Sequence, residues 1–228
     1  MSVAPSGFSH RRRRMRRRRV ALIGALIIAA TASYVFLPRD PDLRRFAPTA
    51  MAHAETLMWR HYYEKRYAAL FADLYDVARE QYGFSPWDSL RIAFYAARAA
   101  QAFQPSTSRA EADAARPYLE SYFGVLARAA AQPVDVAATA STELDWWQAR
   151  REDRGPDEYG VTVARVSSLL YGVDNAATRS AGIVRAEAMA YRDAHASAMT
   201  DADWTIIDHQ LNDAYGLLKT AIAPPSSR

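Results

Sequence analysis

Carboxylate, indole and guanidinium recur at helical spacing in two stretches of the chain. The first reads Glu55-Thr56-Leu57-Met58-Trp59-Arg60-His61-Tyr62-Tyr63-Glu64-Lys65-Arg66. The second reads Glu143-Leu144-Asp145-Trp146-Trp147-Gln148-Ala149-Arg150-Arg151. On a helix, Glu55, Trp59, Tyr62, Tyr63 and Arg66 fall in one sector, while Glu143, Trp147 and Arg151 share a face with Trp146 and Arg150 beside it. Two such helices facing each other predict a pocket. Aromatic walls exclude water, and Arg150, Arg151 or Arg60 grips an anionic group with two parallel hydrogen bonds. Stacking of arginine on tryptophan holds the fork in place. The expected ligand-binding set is therefore Glu55, Trp59, Arg60, Tyr63, Glu143, Trp147, Arg150 and Arg151. The plainer alternative is that the rings fill a core and the acids and arginines satisfy one another.

Other chemistries find no footing. The chain has no cysteine, which excludes a disulfide scaffold, a thiol catalyst and Cys-held iron–sulfur clusters. Its five histidines form only single pairs with acids (His61-x-x-Glu64, Asp193-x-His195, Asp208-His209), so no metal site is expected. There is no Gly-x-Ser-x-Gly elbow, no Gly-x-Gly and no Gly-Lys-Ser/Thr, hence no expected nucleophile, dinucleotide loop or phosphate cradle. No catalytic residue and no cofactor is implied, and an enzyme of unrecognised type stays a distant alternative.

Charge and hydropathy place these stretches. The net charge of +4 comes from the N-terminus: eight arginines lie at 11–19, and the other 21 basic residues stand against 25 acidic ones. A cationic tip on a mildly acidic body seeks anionic surfaces, either nucleic acid or lipid headgroups. Residues 20–37, VALIGALIIAATASYVFL, carry no charge and as a helix would span about 27 Å. An apolar helix behind an arginine run points to lipid, so a bilayer is the expected partner and nucleic acid is not. Arg16, Arg17, Arg18 and Arg19 form the expected cytoplasmic anchor, with the body on the far side. The rival is a secretory signal cleaved after Ala32, although the apolar run continues through Leu37. Arginine outnumbers lysine 27 to 2, the mark of a GC-rich and so bacterial genome, which makes the inner membrane the expected location and the periplasm the expected far side.

The elements that would position the two stretches are helices. The expected organisation is an Arg-rich tail over 1–19, a transmembrane helix over 20–37, a Pro-containing spacer over 38–50, a helical domain over 51–222 and a frayed tail over 223–228. Within the domain, one long helix runs from about residue 50 to Gly83. A second starts at the Ser85 N-cap and stops before Pro105. A third starts at a capping box on Ser108 and Glu111, with a kink or break near Arg116 forced by Pro117. Three more cover about 136–153, 157–171 and 175–198, the last capped by Asp174. A final helix is capped by Thr200 and Asp203. No stretch alternates like a strand. The expectation is all-α: an irregular antiparallel bundle of about six to seven helices, with a stacked repeat array as runner-up. The expected function is a membrane-anchored, non-catalytic module that binds another envelope protein, with a receptor for a small anionic ligand as the alternative.

Overall fold

The computed structural model describes the backbone of residues 8–37 and 39–223 and the side chains from residue 19 onward. The regular secondary structure among the described residues is helical, with no strand among them. The chain divides into two compact units, Met1–Pro38 and Arg39–Arg228. The first holds α1, Phe8–Phe36. Its stretch Arg19–Phe36 has a mean hydropathy of 1.9 and is long and apolar enough to cross a membrane, with none of it buried against protein. The side chains of Arg16, Arg17 and Arg18, and residues 224–228 of the expected tail, lie outside the described residues.

The second unit is a helical bundle. Its elements are α2 (Pro48–Tyr63), α3 (Tyr67–Asp76), α4 (Pro86–Phe103), the short α5 (Arg109–Ala112), α6 (Arg116–Leu126), α7 (Val136–Arg151), α8 (Pro156–Tyr171), α9 (Ala176–Ala194) and α10 (Asp201–Ala221). Leaving α5 aside, each helix packs on the next in sequence, and α10 packs back on α2, which closes the circuit. Short connections favour such neighbour-on-neighbour packing. Side chains that point to the middle of the circuit therefore come from helices far apart in sequence.

Local chemistry sets most of the boundaries. Ser85 accepts a hydrogen bond from the Asp88 N–H at 3.1 Å, with Pro86 opening α4. Thr200 and Asp203 form a reciprocal capping box on α10. Ser108 caps α5, but Glu111 reaches back to Thr107 rather than to Ser108. Pro117 sits in the first turn of α6, and a 3-10 turn over Asp113–Ala115 makes the break before it. Asn175, not Asp174, caps α9, because the Asn175 side chain accepts from the Thr178 N–H at 2.9 Å. That helix ends at Ala194. Gly155 and Pro156 open α8 instead of only closing α7.

Two expectations fail for tertiary reasons. The helix expected from residue 50 to Gly83 is two helices, because the chain turns over at Glu64–Arg66 with Lys65 left-handed at φ 59°. His61 Nδ1 lies 2.5 Å from the Asp73 carboxylate and clips α2 to α3 across the turn. A π-helical turn at Val77–Gln81 follows α3 and leads to Gly83, left-handed at φ 78°. The expected spacer at 38–50 is also part of the folded body. Leu43 and Phe46 are 2% and 1% exposed. Leu43 N–H donates to Ala129 O at 3.0 Å, and Lys219 Nζ donates to the Phe46 carbonyl at 2.8 Å. Burying a Leu and a Phe side chain is worth about 1.5–3 kcal/mol each, enough to hold a proline-interrupted strand of backbone in place.

On the α8–α9 side the helices touch through glycine. A Cβ on Gly182 would lie 2.5 Å from the Ala164 nitrogen, so only glycine permits this approach. The opposite side, between α2, α4 and α7, is held apart by large rings.

Candidate functional site

In the middle of the circuit is a cavity of about 390 Å³. It is lined from α2, α3, α4, α6, α7, α9 and α10. Much of its wall is apolar, with Met51, Met58 and Met189 among the lining groups and a row of small residues, Ala96, Ala97 and Ala100, on α4. Tyr62, Tyr122, Trp146 and Trp147 supply aromatic surface. Mostly apolar, part-enclosed spaces of this size with a few convergent polar groups suit small organic ligands.

Six of the eight residues expected in a site lie in this lining: Glu55, Trp59 and Tyr63 from α2, and Glu143, Trp147 and Arg150 from α7. Arg60 and Arg151 do not. Arg60 faces outward, 2.9 Å from Glu64 and 2.9 Å from Asp201. Arg151 closes the C-terminal end of α4: its Nη1 donates to the carbonyl and hydroxyl of Ser106, each at 2.6 Å, and its guanidinium lies 3.7 Å from the Phe103 ring centre. Arg66 belongs to the turn beyond α2 and is exposed.

The charges inside the cavity fall into three sets. Glu55 is 3% exposed and already answered. Arg185 Nε lies 3.0 Å from Glu55 Oε1, its Nη2 closes on the same oxygen, and the Tyr215 hydroxyl donates to Oε2. Arg185 is hemmed in by protein, yet 27% of its side chain is accessible because its open side faces the cavity. Burial opposes the Arg185 charge, and the Glu55 carboxylate outweighs that, so the guanidinium stays firmly protonated. Burial, reinforced by Glu55, pushes the Tyr215 hydroxyl well above its ordinary value.

Arg150 forms the second set. Its Nε and Nη2 lie 2.8 and 2.7 Å from the two oxygens of Asp193, and Nη2 donates to the Tyr63 hydroxyl at 2.5 Å. Burial again works against the charge, and Asp193 with Tyr63 holds the guanidinium above its usual value. Asp193 also takes Arg192, which lies 3.1 Å away and stacks on Tyr63, its guanidinium 3.2 Å from the ring centre. Arg192 faces a separate, shallower pocket with Arg60, Asp201 and Trp204.

Glu143 is the third set and differs from the others. Its Oε1 accepts the Trp147 indole N–H at 2.9 Å. Among the described residues it has no ion pair. Trp146 Nε1 is buried without a hydrogen bond among the described residues, but it lies near enough to favour the same carboxylate. Burial dominates and pushes the Glu143 carboxyl up; Arg185 and the two indoles pull it partway back, and Glu55 opposes them. Tyr122, across the cavity on α6, is pushed up by burial and by the nearness of Glu143.

The arrangement can bind and orient, but it shows no nucleophile beside a base. Among the described residues no group of three or more His, Asp or Glu is placed to hold a metal ion. Arg185 and Asp193 were not among the expected residues. A signal for Arg185 does exist: it sits four residues from Ala181 and four from Met189, so an arginine occupies the apolar stripe of α9. No family model, no curated protein and no solved structure matches this chain.

Proposed function

We propose that the chain is a ligand-binding module held to a membrane by α1. The observation that carries this reading is the central cavity of about 390 Å³ lined from both Glu–Trp–Arg stretches, with four charged groups, Glu55, Glu143, Arg150 and Arg185, set in an otherwise apolar and aromatic wall. A mere packing defect gathers apolar groups; buried charges are costly and are placed where a partner answers them. The anionic ligand expected from the arginines is not part of this reading. Arg60 and Arg151 lie outside the cavity, and Arg150 and Arg185 each hold a carboxylate.

The test uses the methionines. Met51, Met58 and Met189 line the cavity, whereas Met199 lines the shallower pocket. With the full chain labelled on methionine methyls and placed in phosphatidylcholine nanodiscs, 4-phenylbutan-1-ol shifts the three cavity methyls and leaves Met199 in place. Ala97→Trp, which fills the cavity from α4, removes the shifts. Equal shifts in the blocked variant would sink the reading.

The tether rests on the length and hydropathy of Arg19–Phe36, none of which is buried, and on the arginine run before it. In this reading α1 crosses the inner membrane of a bacterium, uncleaved, with the N-terminus in the cytoplasm and the body in the periplasm. The chain has no cysteine, so a single one at the exposed Ser180 gives a clean probe. Ser180→Cys is expected to react with a membrane-impermeant maleimide in intact spheroplasts and to pellet with the membrane after carbonate washing. Protection from the maleimide would reverse the orientation.

A second reading, docking of another envelope protein, is favoured by an exposed apolar row on α4: Trp87, Leu90 and Phe94, the last two 41% and 49% exposed. Leu90→Glu with Phe94→Glu would then abolish capture of that protein while leaving the cavity methyls responsive.

A further inference from the structure

We infer that the cavity takes a lipophilic cation, an organic ammonium whose charged head lies against Glu143 between Trp146, Trp147 and Tyr122. The inference rests on the ligand-binding reading above and specifies its chemistry. Around Glu143 the facing charged and titratable groups are Arg185 on α9, Glu55 on α2 and Tyr122 on α6. Two carboxylates thus share one guanidinium. That guanidinium is committed to Glu55 through Nε and Nη2, and Tyr215 completes the same carboxylate. One negative charge is left over, and it faces the open space.

No cation lies in ion-pair contact with Glu143 among the described residues; its polar neighbours are the Trp147 indole N–H at 2.9 Å and the nearby Trp146 indole. A carboxylate in an apolar wall that no cation answers is stabilised most by a cation that brings little water with it. An alkylammonium meets that condition, and the adjacent ring faces add to it through attraction between cation and π system. The wall already accepts such contacts: the Arg185 guanidinium lies 5.7 Å from the Trp146 ring centre. The remaining surface, from Met58 through Leu119 and Met189 to the alanines of α4, suits a hydrocarbon or aryl tail. A cavity of about 390 Å³ leaves room for a short-tailed amine.

The experiment compares three ligands with one skeleton: 4-phenylbutylammonium, 4-phenylbutan-1-ol and 4-phenylbutyrate. Each is titrated into the full chain in phosphatidylcholine nanodiscs at neutral pH, with empty nanodiscs subtracted, and the dissociation constant is read from the methyl shifts of Met51, Met58 and Met189. The amine is expected to bind at least about tenfold more tightly than the alcohol, and the carboxylate more weakly than either. In Glu143→Gln the amine loses that advantage while the alcohol keeps its affinity within about threefold. If Glu143→Gln does not fold, the order of the three ligands on the native chain still decides. An amine no better than the alcohol, or a carboxylate that binds tightest, overturns the cation assignment and leaves the binding reading standing. If none of the three moves the cavity methyls, both fall.

Discussion

The two Glu–Trp–Arg stretches have nearly the same composition and face the same cavity, yet they end in opposite electrostatic states. In α2, Glu55 is buried and neutralised by Arg185, with Tyr215 completing its shell. In α7, Glu143 is held by the Trp147 indole N–H with Trp146 close by, and it has no ion-pair partner among the described residues. The difference lies outside both stretches: of the arginines on α9, Arg185 pairs with Glu55 and none pairs with Glu143 among the described residues. A carboxylate that is answered belongs to the architecture, and one that is not is available to a ligand. Composition alone cannot separate the two cases, because the deciding residue lies 130 positions from the acid it answers.

Several substitutions would break or sharpen this contrast. The largest effect is expected from Arg185→Ala, which strands Glu55 in an apolar surround; a loss of about 3–5 kcal/mol should appear in chemical denaturation of the full chain. Glu55→Gln added to Arg185→Ala should recover part of that loss, since the buried charge goes with it. A result within about 0.5 kcal/mol of the native protein for Arg185→Ala would mean that Glu55 is solvated and the contrast is empty.

Glu143→Gln should act in the other direction. The folded protein holds the Glu143 proton to higher pH than the unfolded chain does. Such a group makes stability fall as pH rises from the ordinary carboxylate value through the raised one. Removing the charge removes that fall, so Glu143→Gln should melt higher than the native chain near neutral pH and match it in acid, where Glu143 is protonated in both states. Asp203 gives the opposite limb. The Thr200 side-chain hydrogen bond holds its carboxyl at about 2, so its contribution is present above the ordinary value and is lost as pH falls toward 2. Thermal melts across pH separate the two limbs, and a native profile that Glu143→Gln leaves unchanged above the ordinary carboxylate range would contradict the raised Glu143 carboxyl.

Smaller effects come from the arginines outside the cavity. Ser85→Ala, a cap far from the charges, sets a scale of about 1 kcal/mol. Arg151→Ala should exceed it, because the Ser106 carbonyl and hydroxyl lose the guanidinium that donates to them and the Phe103 ring loses its stacked cation. Arg60→Ala should change stability by less than about 0.5 kcal/mol, because both its ion pairs are exposed to water.

Much of the fold was readable because local chemistry dictates it. Ser85 with Pro86, Thr200 with Asp203, and Pro117 marked boundaries without tertiary help, and Trp204, Ile207, Leu211 and Leu218 of α10 are all buried as their spacing requires. The break at Glu64–Arg66 was not readable as a turn, since Lys65 adopts a left-handed conformation that no glycine announces. The aliphatic stripe does lapse between Met58 and Leu70, and that lapse was the only trace. The segment around Leu43 and Phe46 looked like a spacer because three prolines dominate it, whereas two buried side chains decide its place. Helical periodicity brings the expected aromatic and acidic residues to the cavity wall. Arg60 and Arg151 were misplaced because they flank the inward face by one position, and one helical step is 100°.

The most direct measurement is a crystal structure of the full chain grown with 4-phenylbutylammonium. The account requires density for the amine inside the circuit of helices, its nitrogen within hydrogen-bonding distance of the Glu143 carboxylate, and the Glu55–Arg185 pair undisturbed. Side chains collapsed into that space, with the amine bound only at the surface, would contradict it.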